Sequence, residues 1–379
     1  MNSEQLARAL PEAVLSFRGY NVTNLGRSRE LLVHPAYGGT VEQHLALMSQ
    51  AAADELHRPV DLAARVRSEQ ETSLESYGDA IALIMAMEAA QLDLLERHFG
   101  IDYRRAKFSF GYSLGEIAAL VAGGVMDGAD AVRIPLILSE DCAALAADVT
   151  LGVLFTKATA LPLEEIRRAC LSVNEQGQGV IGISSYLAPN SILILGQGDT
   201  LQRFFEIART KVPERLYLRR NEHRWPPLHT PITWQKNVPN RAAQALHTTK
   251  VGAAGPRPNV LSLVTGQFSY TPANTRELLH RWADHPQKLW DAIYATLASG
   301  AETLIHVGPA PNLVPATFKR LKENVLGQLA ASLSLRAISA VAAQRAWLQR
   351  LLPQRAALLR APYIEQLILE DWLLENEPL

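Results

Sequence analysis

One stretch constrains the fold of this chain more than any other. Lys107-Phe108-Ser109-Phe110 reads as a strand and runs straight into Gly111-Tyr112-Ser113-Leu114-Gly115-Glu116, and then into an apolar helix, IAALVAGGV. A turn this tight favours glycine at its flanks and lifts the serine hydroxyl out of a sheet onto a helix N-terminus. There the next backbone N–H and the helix dipole can stabilise an oxyanion. The pattern itself is short, and with 23 glycines in 379 residues it can arise by chance. Its placement between strand and helix gives it weight. The plainer reading is a serine that only caps a helix.

The rest of the chain fits an α/β protein. Residues 80–98 form an apolar helical run that predicts a buried helix. Residues 151–220 read as strand (GVLFTKA), helix (LEEIRRACL, with Pro162 suited to its first turn), two strands (GVIGISSY and SILILGQ), helix (TLQRFFEIART) and strand (RLYLRR). That β-α-β-β-α-β order is the pattern of a ferredoxin-like unit. Beyond Pro226 the chain predicts a strand (NVLSLV), a helix around Trp282 to Leu297 and a strand (TLIHV) ending at Gly308-Pro309. The final segment predicts helices broken at Pro353 and Pro362. The expected architecture is an α/β-hydrolase-like parallel-sheet body (1–148 and 222–325). It carries an inserted ferredoxin-like β-α-β-β-α-β subdomain (149–221) and a helical C-terminal extension (326–379).

Composition narrows the function. Lys and Arg number 37 against 38 Asp and Glu, so there is no basic excess of the kind a bulk nucleic-acid binder needs. Two cysteines, Cys142 and Cys170, build no disulfide framework and have no metal-ligand spacing, so no metal is expected. No stretch reaches the roughly 20 apolar residues of a membrane span, and Met1-Asn2-Ser3-Glu4 opens no targeting segment. The expectation is a cytoplasmic protein without a membrane partner.

An activated serine needs a base. Seven of the ten histidines lie in polar or amphipathic stretches without a companion motif. His306 follows an apolar strand and suits a core position, and His223 sits among arginines. His229 lies in Pro226-Pro227-Leu228-His229-Thr230-Pro231, where prolines stiffen an irregular loop, a suitable mount for a general base.

Together these residues resemble the malonyl-CoA:acyl-carrier-protein transacylases and the related acyltransferase domains of polyketide synthases, of the discrete, trans-acting type, over about residues 14–325. Gly111 to Glu116 is similar to the family's Gly-His-Ser-x-Gly-Glu box, and Pro227-Leu228-His229-Thr230-Pro231 to its second-histidine motif. Val260 to Gly266 resembles its strand ending in Thr-Gly, His285-Pro286 to Trp290 its Pro-Val-x-Trp stretch, and His306-Val307-Gly308-Pro309 its Glu-Val-Gly-Pro stretch. The resemblance implies a ping-pong acyl transfer with Ser113 as nucleophile and His229 as base. The backbone N–H groups of Tyr20 and Leu114 would form the oxyanion hole, and the Leu263 carbonyl would orient the histidine. It implies no permanently bound cofactor. The substrates would be acyl-CoA or a phosphopantetheinyl carrier, and the partner an acyl carrier protein or the carrier domain of a synthase.

The departures bear on the substrate. The family's Phe-Pro-Gly-Gln-Gly-Ser-Gln box corresponds to Phe17-Arg18-Gly19-Tyr20-Asn21-Val22-Thr23. Its carboxylate-binding arginine, 25 residues after the serine, falls on Leu138, its histidine before the serine on Tyr112, and its acyl-pocket glutamine on Gly78. With Leu228, these positions describe a less charged acyl pocket. A buried carboxylate without a charged partner costs several kcal/mol, so a non-dicarboxylic acyl group is expected. The same changes admit a thioester hydrolase that edits acyl carrier proteins. A non-catalytic docking protein on the same fold is a further alternative, against which the presence of both Ser113 and His229 argues. An ordinary α/β-hydrolase esterase would place Asp or Glu and then His late in the chain and would lack the insert.

Between Arg203 and Arg224 lie seven basic residues. Of these, Arg215, Arg219, Arg220 and Arg224 are candidates for docking a carrier protein or the phosphates of coenzyme A. A solvated helix face and strand edge is the alternative. The leucines of LQRLLPQRAALL and EQLILEDWLL recur at helical spacing and predict packing of the tail against the body.

Overall fold

The computed structural model describes residues 1–157, 159–331 and 357–378. Its first sheet is parallel and has five strands in the order β7-β2-β1-β8-β9. These are β1 (Ala13–Phe17), β2 (Phe108–Gly111), β7 (Val260–Leu261), β8 (Thr303–Val307) and β9 (Glu365–Ile368). Every residue of β1, β2 and β8 is buried, as expected where helices cover both faces of a parallel sheet. Alternation divides the side chains between two cores. Leu15, Phe17, Ile305 and Val307 enter the larger one, with the helix Tyr77–Phe99. Val14, Phe108, Phe110 and Leu304 enter the other, under the helices Leu289–Ala298 and Leu313–Ala331.

The insert is a four-stranded antiparallel sheet of β3 (Val149–Phe155), β4 (Ile181–Ala188), β5 (Ser191–Gln197) and β6 (Tyr217–Arg224), in the order β4-β5-β3-β6. Helices Leu163–Asn174 and Thr200–Lys211 cover one face, where Ile166, Val173, Leu201 and Phe204 meet Leu154, Ile192 and Ile194. This is the ferredoxin-like arrangement. The opposite face turns Leu151 and Leu195 toward the body. Gln287 joins the two parts: its carbonyl accepts from the Tyr186 N–H at 2.9 Å and its own N–H donates to the Ser184 carbonyl at 2.9 Å.

Three expectations need correction. The helix expected around Trp282 to Leu297 is two helices, Thr275–Trp282 and Leu289–Ala298, because Pro286 in the intervening segment lacks the N–H a helix needs. The strand in NVLSLV is only Val260–Leu261, since the Ser262 N–H turns back to the Gln267 carbonyl at 3.0 Å. The C-terminal extension is not wholly helical: Glu365–Ile368 is the edge strand β9, paired in parallel with β8, ahead of a short helix, Leu369–Glu375. Pro353 and most of LQRLLPQRAALL lie outside the described residues. Among the described residues no helix is long and apolar enough to cross a membrane.

Candidate functional site

Ser113 ends the turn between β2 and the helix Leu114–Ala122, with φ 56° and ψ −117°. That left-handed φ is costly for a serine and is held by its surroundings. A Cβ on Gly111 would collide with the Gly115 carbonyl, so the turn closes only with glycine there. Leu114 is the first helical residue and its N–H has no intrahelical acceptor. Glu116, fully buried, accepts from the Leu263 N–H at 3.1 Å and the Tyr270 hydroxyl at 2.7 Å, tying the helix to the loop after β7. Burial pushes its carboxyl up to about 7.

The Ser113 hydroxyl lies 2.7 Å from His229 Nε2, across 116 residues of sequence. His229 is buried, with φ 66°. Its Nδ1 lies 2.7 Å from the Trp282 carbonyl. A carbonyl only accepts, so Nδ1 carries the proton and Nε2 is left to accept from the serine. Burial lowers the imidazole to about 4, opposed by the bond to Trp282, so the ring is neutral near pH 7. Trp282 also donates its indole N–H to the Ser113 carbonyl at 2.9 Å. A hydroxyl on a neutral, oriented imidazole is an arrangement that makes an alcohol nucleophilic.

The expected orienting carbonyl was that of Leu263, and this is corrected. The Leu263 carbonyl accepts from the Lys288 N–H at 2.7 Å, and Trp282 supplies the bond to His229.

Ser113 and His229 border a cavity of about 590 Å³ between the two sheets. Leu151, Val153, Leu187, Leu193 and Leu195 of the insert roof it, and Tyr20, Tyr77, Trp225 and Leu228 close one end. Tyr112 and Leu228 line it. Gly78 and Leu138 do not, and both are corrected. A Cβ on Gly78 would lie 2.7 Å from Leu56 Cδ1, facing a neighbouring helix, and Leu138 is buried within the larger core. The cavity wall beside Gly78 is instead Tyr77, stacked edge-on against Tyr20 at 4.8 Å. Tyr20 is brought to the serine by Gly19, where a Cβ would lie 2.5 Å from the Tyr112 carbonyl oxygen and 3.3 Å from Ser113 Cβ.

Three site residues escaped sequence reasoning. Trp282 acts partly through a carbonyl, which no side-chain pattern reveals. Gln287 accepts from the Ser113 N–H at 3.3 Å through Oε1, while its buried Nε2 has no partner among the described residues. It lay inside the flagged His285-to-Trp290 stretch. Arg18 lay inside the flagged N-terminal box.

Of the basic candidates, Arg219 reaches the cavity rim, while Arg215, Arg220 and Arg224 are exposed elsewhere on or beside β6, the insert's edge strand. Arg220 donates to Gln202 at 2.6 Å, Arg224 to Thr150 Oγ1 at 3.2 Å, and Arg215 lies over the Tyr217 ring at 5.2 Å.

These features place the chain among known structures. It is 21% identical to an acyl carrier protein S-malonyltransferase from Vibrio cholerae, with a TM-score of 0.64 over 81% of this chain and 92% of that one. The fold is that of the acyl carrier protein malonyltransferases. A malonyl-transacylase solved in complex with a type II polyketide synthase acyl-carrier protein matches at 21% identity and a TM-score of 0.61, over 80% of this chain and 91% of that one. In sequence, the chain is 25% identical over 287 residues to the polyketide synthase GfsA of Streptomyces halstedii, 75% of this chain and 4% of that protein. It is 25% identical over 192 residues to the reducing polyketide synthase ppsB of Aspergillus oryzae, 50% of this chain and 7% of that protein. The chain therefore spans a small part of each curated relative. No family model matches it.

Proposed function

We propose that this protein is an acyltransferase that moves an acyl group between thioesters, from coenzyme A or one carrier to an acyl carrier protein, through an ester on Ser113. The observation that carries this reading is the 2.7 Å contact between Ser113 Oγ and a neutral, oriented His229 at the floor of an aliphatic cavity. His229 takes the serine proton as Oγ attacks the thioester carbonyl, and the backbone N–H groups of Tyr20 and Leu114 receive the oxyanion. Collapse expels the thiol, which regains the proton from His229. A second thiol then repeats the sequence in reverse. The similarity to polyketide synthases and the malonyltransferase fold support transfer to a carrier protein over simple ester hydrolysis.

The acyl group we propose is apolar and lacks a free carboxylate. Among the described residues no Asp or Glu lines the cavity, and the cations there are Arg18, engaged with the protein, and Arg219 and Arg320, exposed at the mouth. Five aliphatic side chains form the roof. Intact-protein mass spectrometry with a panel of acyl-CoAs and acyl carrier proteins tests both points. Acyl adducts on wild type, absent from Ser113→Ala and discharged faster by carrier thiol than by water, are expected. Selective loading of malonyl would overturn the acyl assignment, and discharge to water alone would make the protein a hydrolase.

A further inference from the structure

Arg18 lies at the end of β1, immediately before the turn that carries Tyr20. It is a long cationic side chain, 5% exposed, on the wall of the cavity that holds Ser113. A guanidinium in that position invites assignment as a ligand for substrate carboxylate, so the direction of its donors decides its role.

All five N–H groups are engaged by the protein. Nε donates to the Gly19 carbonyl at 2.8 Å. Nη1 donates to the Pro309 carbonyl and, at 3.4 Å, to that of Thr23. Nη2 donates to Asn24 Oδ1 at 2.6 Å and to the Thr23 carbonyl at 3.3 Å. The acceptors belong to two loops, 19–24 after β1 and 308–309 after β8. The backbone N–H of Arg18 donates to Glu88 Oε1 at 2.9 Å, fixing the start of the turn to the buried helix Tyr77–Phe99. Asn24 is itself sealed, donating to the Asn21 carbonyl at 2.6 Å and Thr72 Oγ1 at 2.8 Å. Burial lowers the guanidinium only to about 10, so it stays charged near neutrality. A planar fork with five fixed donors suits such bridging, and a lysine ammonium does not.

We infer that Arg18 is a positioning residue: it fastens the two loops to one guanidinium and so holds the Gly19–Tyr20 turn against Ser113, where the Tyr20 N–H can meet an oxyanion. The inference rests on the acyl-enzyme reading only for the role of that N–H. A binding role toward carboxylated substrate would need donors that Arg18 does not have free.

The test is the rate at which a fluorophosphonate labels Ser113, because its phosphoryl oxygen must occupy the oxyanion position while the serine displaces fluoride. Removing one oxyanion donor slows an enzyme by about 10² to 10³. In folded Arg18→Gln, labelling about 10²-fold slower than wild type is expected, with faster amide exchange over residues 18–24 and 308–310. Labelling within threefold of wild type overturns the inference. So does unchanged labelling with a KM increase confined to carboxylated acyl-CoAs, which would make Arg18 a substrate ligand. If Arg18→Gln does not fold, Arg18→Lys carries the test, with labelling at least tenfold slower expected and an unchanged rate overturning. Wild type that reacts with the fluorophosphonate but takes no acyl group from any thioester would overturn the acyl-transfer reading and leave the role of Arg18 standing.

Discussion

Trp282 holds Ser113 through its indole N–H, 2.9 Å from the serine carbonyl oxygen, while its own carbonyl anchors His229 Nδ1 at 2.7 Å. One residue thus sets both members of the pair. Trp282→Phe keeps the carbonyl and most of the buried ring but removes the indole donor, leaving the Ser113 carbonyl only the Glu116 N–H at 3.0 Å. A loss of about tenfold in the acylation rate is expected, the equivalent of ~1.4 kcal/mol, with little change in KM. Pre-steady-state acyl-CoA loading measures it, and an unchanged rate would remove the indole N–H from the site.

The protonation state of His229 gives a pH dependence. Its burial lowers the imidazole to about 4, so Nε2 remains free to accept from Ser113 down to that pH and is blocked by a proton below it. The acid limb of kcat/KM for acyl-CoA loading is expected near pH 4, with a slope of one. A limb near 6.5, the ordinary histidine value, would contradict the buried, neutral ring.

The cavity makes two predictions about the acyl group. Leu193→Trp thickens the roof and should reduce loading of long acyl chains at least tenfold while sparing acetyl. Leu138→Arg should not create malonyl loading, because the side chain points into the core, and it should destabilise the fold by about 3–5 kcal/mol through an unpaired buried charge. Malonyl adducts on a folded Leu138→Arg protein would place that residue back in the pocket.

The edge strand β6 presents Arg220 and Arg224 to solvent. If this edge receives an acidic carrier protein, Arg220→Glu with Arg224→Glu should raise the apparent KM for the carrier severalfold and steepen with lower salt. Loading from acyl-CoA in the same variant separates docking from chemistry. An unchanged carrier KM would leave these arginines as a solvated edge.

β9 and the helix after it do more than cover the body. The Glu370 carboxylate accepts from the Arg27 N–H at 2.9 Å and the Ala310 N–H at 2.8 Å, and His306 Nε2 lies 3.1 Å from Gln366 Oε1. Ending the chain after residue 356 exposes β8 as a bare edge and frees both loops. Loss of cooperative thermal unfolding and of Ser113 labelling is expected, and a truncated protein that melts as wild type would count against this.

The ferredoxin-like insert was legible because three of its strands are short apolar runs, its helices are amphipathic, and Pro189-Asn190 marks the turn between β4 and β5. The elbow was legible because only glycine fits Gly111. β9 was not: Glu365–Ile368 runs without a break into Leu369, Trp372 and Leu373 at helical spacing, and only the open edge of β8 sets the first four residues apart as a strand. Gly78 and Leu138 were placed by counting along the chain, which cannot say which face of a helix turns to the cavity. The carbonyl of Trp282 carries no residue-type signal at all.

The pairing of β8 with β9 also has a consequence for how the chain is made. β1 sits at the centre of a sheet whose last strand arrives roughly 350 residues later, which at about 5–20 residues per second means tens of seconds of synthesis. Until then the Arg27 and Ala310 N–H groups lack the Glu370 carboxylate, so the loops after β1 and β8 gain their last tie only once residue 370 has been made.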